Sequence, residues 1–179
     1  MHGARAGTGL RPGARRYAGA MDAAGFELSV EIAIEAEPLR AFLCDLEQHV
    51  ALHPLIESIE EIEPSPELPR ARRYRVCDRI PVGPFVAKTV YVAALDPVGP
   101  LEVHGHAWQR PGVRLHTVYR LEPVAGGTRL VERATIEAPW GLRGFVKRQA
   151  RAAHAESLAG MKCLLEARAG ADRTSDAPG

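Results

Sequence analysis

Three groups of residues in this chain have types and spacings suited to chemistry. His104 and His106 are separated by one residue, so on a strand both imidazoles project from one face and can share a metal ion. His116, beyond a turn, supplies a third nitrogen if that turn has three residues. No matching carboxylate or cysteine with site spacing accompanies them, and exposed histidines are commoner, so no metal is expected. Tyr119 and Glu132 form the second group. A carboxyl beside a tyrosine on a desolvated sheet face has a raised pKa and can relay a proton. The plainer reading, in which Glu132 only satisfies a tyrosine or an arginine, carries more weight. Third, His49 and His53 stand at i, i+4, but Pro54 follows and no Glu comes after His49, which removes an H-E-x-x-H motif.

The elements that must hold these residues are legible from periodicity. From Phe26 to Ile34 every even position is apolar, which predicts a strand with one buried face. Glu37 and Pro38 open a helix carrying Leu39, Phe42, Leu43 and Leu46 at helical spacing. The run Leu55 to Glu63 is ambiguous, because Ile56, Ile59 and Ile62 recur every third residue while their place in the chain favours a strand. Five strands follow, over 70–80, 85–95, 101–109, 113–121 and 128–136, with Pro and Gly between them. Short links favour an antiparallel meander. Leu142 to Arg168, free of proline and rich in Ala, Leu, Lys, Arg and Glu, predicts one long helix, which must cover the concave face of the sheet.

Register decides which side chains meet. If Leu121 faces Leu130, then Tyr119 faces Glu132, Thr117 faces Ala134 and Leu115 faces Ile136, all on the inner side. The turn Arg110-Pro-Gly-Val113 permits two registers. A three-residue loop pairs Glu102 with Arg120 and turns His104, His106 and Trp108 outward; a two-residue Pro-Gly loop turns both histidines inward beside Tyr119 and Thr117. The outward register is favoured, because it pairs opposite charges and buries Leu101, Val103 and Ala107. On the terminal helix, Phe145, Val146, Gln149, Ala152, Ala153, Glu156, Gly160 and Leu164 share one arc expected to face the sheet. Arg148, Arg151, His154 and Lys162 would then form a solvated face.

Composition excludes more than it identifies. The formal net charge is +1, and the four arginines of residues 1–20 supply more than that excess, so nucleic acid is not an expected partner. No apolar run is long enough for membrane insertion, and no signal-peptide core follows the early arginines, so a cytoplasmic location is expected. Cys44, Cys77 and Cys163 are too scattered for a disulfide framework and read as small buried residues. Residues 1–24 are expected to be a disordered leader, 25–168 one domain, and 169–179 a disordered tail.

The Pro-initiated helix after strand one, the strand Gly126-Gly-Thr-Arg-Leu-Val-Glu-Arg133, and Ala138-Pro-Trp-Gly-Leu-Arg-Gly-Phe145 opening a helix that ends Leu164-Leu-Glu166 together resemble the START-like (SRPBCC) superfamily. That superfamily includes polyketide cyclases, lipid-transfer domains and birch-pollen-allergen-like proteins, and the resemblance spans roughly residues 26–168. One departure is His53 before Pro54, where many relatives carry tryptophan. The resemblance implies an α+β helix-grip fold: a curved antiparallel sheet of about six to seven strands around a long C-terminal helix, with two short helices after strand one. It also implies a cavity for a lipid, polyketide or similar molecule.

The expected lining is Tyr74, Tyr91, Leu115, Thr117, Tyr119, Glu132, Phe145, Gln149, Ala153, Glu156 and Gly160. No cofactor is expected, and the chain is expected to be a monomer or homodimer. Three functions remain open: carriage or sensing of a small hydrophobic ligand; a polyketide cyclase, aromatase or dehydratase using Glu132 and Tyr119; and an interaction module presenting Trp108 and His116.

Overall fold

A computed structural model describes residues 25–52, 56–82, 84–110 and 112–175; the expectations for the 1–24 leader, for His53 and Pro54, and for 176–179 lie outside these. Seven strands form one open antiparallel sheet in the order β1-β7-β6-β5-β4-β3-β2. They are β1 (Phe26–Ile32), β2 (Ile56–Ile62), β3 (Arg72–Val82), β4 (Phe85–Gly99), β5 (Glu102–Gln109), β6 (Val113–Val124) and β7 (Gly127–Glu137). Two helices and a 3-10 segment complete the fold: α1 (Ala36–Leu43), the 3-10 segment Leu46–Leu52, and α2 (Arg143–Ser175). This is the expected helix-grip arrangement, with both short helices after strand one.

Alternation in the sequence translates directly into burial. Strand β7 reads half-buried or exposed at odd positions and buried at Thr128, Leu130, Glu132, Ala134 and Ile136, so its even residues face inward. Helix α1 buries Leu39, Phe42 and Leu43 beneath the sheet. A fully buried Leu, Ile or Val contributes about 1.5–3 kcal/mol by leaving water. The ambiguous run becomes β2, whose third-residue spacing has a local cause. A bulge between Ile56 and Ser58 inserts one residue, so Ile56 and Ile59 both pack on the apolar cluster around Tyr74 and Val76.

Both register questions are answered. Leu121 pairs with Leu130, Tyr119 with Glu132, Thr117 with Ala134 and Leu115 with Ile136, as the sequence predicts. Glu102 pairs with Arg120 and Gln109 with Val113, which is the three-residue loop. Gly112 occupies the left-handed region at φ 72°, the backbone that closes a three-residue hairpin, and this outweighs the preference of Pro-Gly for the centre of a type II turn. Gly127 is required for a different reason: a Cβ there would stand 2.2 Å from the Ile32 carbonyl oxygen.

Three expectations need correction. Helix α2 continues to Ser175, past the expected end at Arg168, because Ala and Arg outweigh the single Gly170. Its buried stripe is Leu158, Met161 and Leu165, with Leu164 partly buried, whereas Phe145, Gln149, Ala152, Ala153 and Glu156 are exposed. Large apolar side chains, not the small residues of the expected arc, set the rotation of the helix. Cys163 is exposed, not buried; Cys44 and Cys77 are half-buried, and all three are free thiols.

Candidate functional site

The concave face carries two polar clusters. The first joins β6, β7 and α2. Glu132 is 1% exposed, and its carboxylate accepts hydrogen bonds from the Tyr119 hydroxyl and from His154 Nδ1. Burial and the neighbouring carboxylate push the Tyr119 phenol well above its ordinary range, so it remains a proton donor. With its Nδ1–H held by Glu132, the His154 ring presents Nε2 as the basic nitrogen. The ring also meets Phe26 edge-on, with centroids 5.5 Å apart.

His154, expected on a solvated face, instead turns towards the sheet and joins this cluster. The missed signal was the spacing of His154, Leu158, Met161 and Leu165 at i, i+4, i+7 and i+11, a second helical stripe that pairs a histidine with bulky residues. Lys162, assigned to the same solvated face, is half-buried; its Nζ donates to the Glu31 carbonyl at 2.7 Å and to Glu166 Oε1 at 2.6 Å.

The second cluster lies across the sheet. Tyr91 donates a hydrogen bond to Asp78, Gln109 Nε2 donates to Thr89 Oγ1 at 3.0 Å, and Asp78 Oδ1 is buried with no hydrogen-bond partner. Desolvation raises the Asp78 carboxyl above its ordinary range. Tyr74 is fully buried, its phenol pushed up to about 12 by desolvation, with the Arg72 guanidinium 5.3 Å from the ring centroid.

A raised folded-state pKa means that the folded chain holds the Asp78 proton more tightly than the unfolded chain, so stability falls as pH rises through the Asp78 titration. Asp78→Asn is therefore expected to raise the melting temperature at pH 7 by a few degrees. The gain should shrink on acidification towards pH 4, as thermal melts followed by circular dichroism across that range will show.

Between these clusters the apolar core divides in two. One part gathers Ile32, Leu39, Phe42, Leu43, Val103, Leu121, Leu130, Leu158, Met161 and Leu165; the other is Tyr74, Val76, Ala93 and Leu95. On the inner face between them, Gly105, Thr117 and Ala134 follow one another across β5, β6 and β7, the next row runs Ala107, Leu115 and Ile136, and the Tyr119 and Leu95 side chains stand beside Gly105. At one end of the sheet Phe85 of the β3–β4 hairpin, Trp140 and Leu142 of the β7–α2 connection, and Phe145 at the start of α2 are exposed, at 74%, 92%, 44% and 54%.

Of the residues singled out from sequence, Tyr74, Tyr91, Leu115, Thr117, Tyr119 and Glu132 lie on the concave face. Phe145 stands at the open end, Gly160 packs towards Leu52, and Gln149, Ala153 and Glu156 point away from the core. His49 is structural: buried, it stacks on Phe42, and its Nε2 lies 3.0 Å from the Phe42 carbonyl oxygen. Two surface grooves open elsewhere. One of about 690 Å³ lies between α1 and the end of α2, beside Phe42, Leu165 and Arg168. The other, about 480 Å³, lies on the outer face of β1 and β7 among Glu27, Glu31, Arg129 and Arg133. Among the described residues, no helix is long and apolar enough to cross a membrane.

The family model "Polyketide cyclase / dehydrase and lipid transport" matches residues 23–166. No curated protein matches the chain. Among solved structures, the di-domain ARO/CYC StfQ from the steffimycin biosynthetic pathway is similar at a TM-score of 0.65 and 17% identity. That match covers 82% of this chain and 52% of StfQ, so the chain spans about half the length of StfQ. A START superfamily protein from Mycobacterium smegmatis matches at TM-score 0.60 and 16% identity, over 79% of this chain and 98% of that one. Zhui aromatase/cyclase from Streptomyces sp. R1128 matches at 0.54 and 15%, over 87% and 97%. At these identities the likenesses establish the fold.

Proposed function

Since the chain belongs to the polyketide cyclase/dehydrase and lipid transport family, we propose that it binds one small hydrophobic ligand against the concave face of its sheet, beneath α2. The division of the core carries this reading. Two apolar clusters flank Gly105, Ala107, Thr117 and Ala134, four inner-face positions that raise no bulky side chain of their own between those walls. Apolar walls with a few polar anchors suit a ligand that is mostly hydrocarbon or fused ring and bears one or two oxygens. Asp78, Tyr91 and Glu132 supply those anchors. Phe85, Trp140, Leu142 and Phe145 give an apolar ligand a greasy entrance.

A second reading rests on a specific observation, the Glu132–His154 contact. A carboxylate that fixes an imidazole tautomer, next to a phenol that stays protonated, has the parts for moving a proton at a carbon flanked by carbonyls. His154 Nε2 would take the proton, and Glu132 would stabilise the resulting imidazolium. In the ligand-binding reading the same cluster only anchors an oxygen of the guest.

Native mass spectrometry with a panel of long-chain fatty acids and hydroxylated polycyclic aromatics tests the proposal. One bound molecule per chain is expected for at least one class; a protein that stays empty at about 100 μM of every member overturns it.

A further inference from the structure

The face of the sheet turned away from α2 holds a cluster that ligand binding does not use. His106 and His116 are directly opposite in the β5–β6 ladder, with rings stacked 4.8 Å apart, and His104 lies on the same face of β5. One nitrogen from each of the three lies within 4.8 Å of the others. We propose that His104, His106 and His116 bind a divalent metal of the zinc type.

The geometry supports this at several points. Zinc–nitrogen bonds of about 2.0–2.1 Å place two tetrahedral ligands about 3.4 Å apart, and His116 Nε2 is 3.4 Å from His104 Nδ1. The three ligand nitrogens all lie within 4.8 Å of one another, close enough for side-chain rotation to complete the set. Glu102 Oε1 lies 2.8 Å from His104 Nε2, the bond that leaves Nδ1 free for a metal. This is the carboxylate partner, at i, i+2 on the same strand; its other oxygen is held by Arg120 Nε at 3.2 Å.

Asp96, opposite His104 in the β4–β5 ladder, brings a further carboxylate to this face, its Oδ1 4.0 Å from Arg70 Nε. Two hydrogen-bonded strands supply all three donors, so little ordering is left for the metal to impose. Three imidazoles leave one coordination position for water, as in zinc sites that activate it.

Trp108 stacks on His106, with centroids 5.6 Å apart and planes 7° off parallel, and so provides an optical reporter. The test uses the full chain without a histidine tag, stripped with chelator and titrated with Zn(II) by calorimetry and with Co(II) by tryptophan fluorescence. One equivalent is expected to bind at micromolar or tighter Kd, with quenching that disappears in Trp108→Phe and persists in Trp140→Phe. Glu102→Gln should weaken binding about 10–100-fold, and His106→Gln and His116→Gln at least as much. These positions are half-exposed, so melting curves are expected to confirm folded variants. The proposal is overturned if wild type takes up no metal at about 100 μM, or if the His106→Gln/His116→Gln double variant keeps wild-type affinity.

Discussion

Glu132→Ala is expected to lower the melting temperature by about 6–12 °C, the largest loss at any polar position of the concave face. The carboxylate is buried and serves two donors, the Tyr119 hydroxyl and His154 Nδ1. Removing it strands both, at about 1–3 kcal/mol for each buried unsatisfied group. A total near 3 kcal/mol shifts a chain of this length by about 2–4 °C per kcal/mol.

Glu132→Gln keeps the shape and one acceptor, so it should melt within a few degrees of wild type. It cannot hold the His154 tautomer as a carboxylate does, and any turnover of an enolisable substrate should fall about 10²–10⁴-fold. A double-mutant cycle with His154→Ala is expected to give a coupling of about 0.5–3 kcal/mol. Zero coupling would remove the pair from the account.

Ala107→Trp is expected to abolish binding of apolar guests, weakening affinity at least 100-fold, or about 2.7 kcal/mol, while leaving the fold intact. Ala107 is half-buried on the inner face, between Ala93 and Leu115 in the ladder. In a hollow, an indole takes the space of the guest at little cost. In a filled core, overpacking costs about 1–3 kcal/mol and the melting temperature falls accordingly. Melting curves and ligand titrations on this variant therefore separate an empty floor from a packed one.

The fold was legible because its strands alternate cleanly and its turns carry Pro and Gly where chain reversal needs them. Cross-strand chemistry alone fixed β6 against β7, since one register satisfied Leu121 with Leu130 and Tyr119 with Glu132 together. Half of the polar site followed from that pairing. The other half did not, because the rotation of α2 depends on which of two stripes wins. Small residues at Ala152, Ala153 and Gly160 looked like a packing face, but Leu158, Met161 and Leu165 bury far more apolar surface and carry His154 inward with them. The end of α2 was also hidden, since Gly170 reads as a stop yet costs only about 1 kcal/mol within a long helix. Glu102 stands at the same i, i+2 strand spacing from His104 as His106 does, so its place beside the imidazole was legible, but its pairing with Arg120 across the ladder drew attention away from it.

The most direct measurement is methyl-resolved NMR of the protein titrated with a long-chain fatty acid or a hydroxylated polycyclic aromatic. Shifts are expected to concentrate on the methyl groups of Ala93, Ala107, Thr117 and Ala134 and to saturate at one equivalent. Shifts confined to Ala41, Leu165 and Ala169 in the α1–α2 groove, or to Val131 on the outer face, would contradict a guest between sheet and helix.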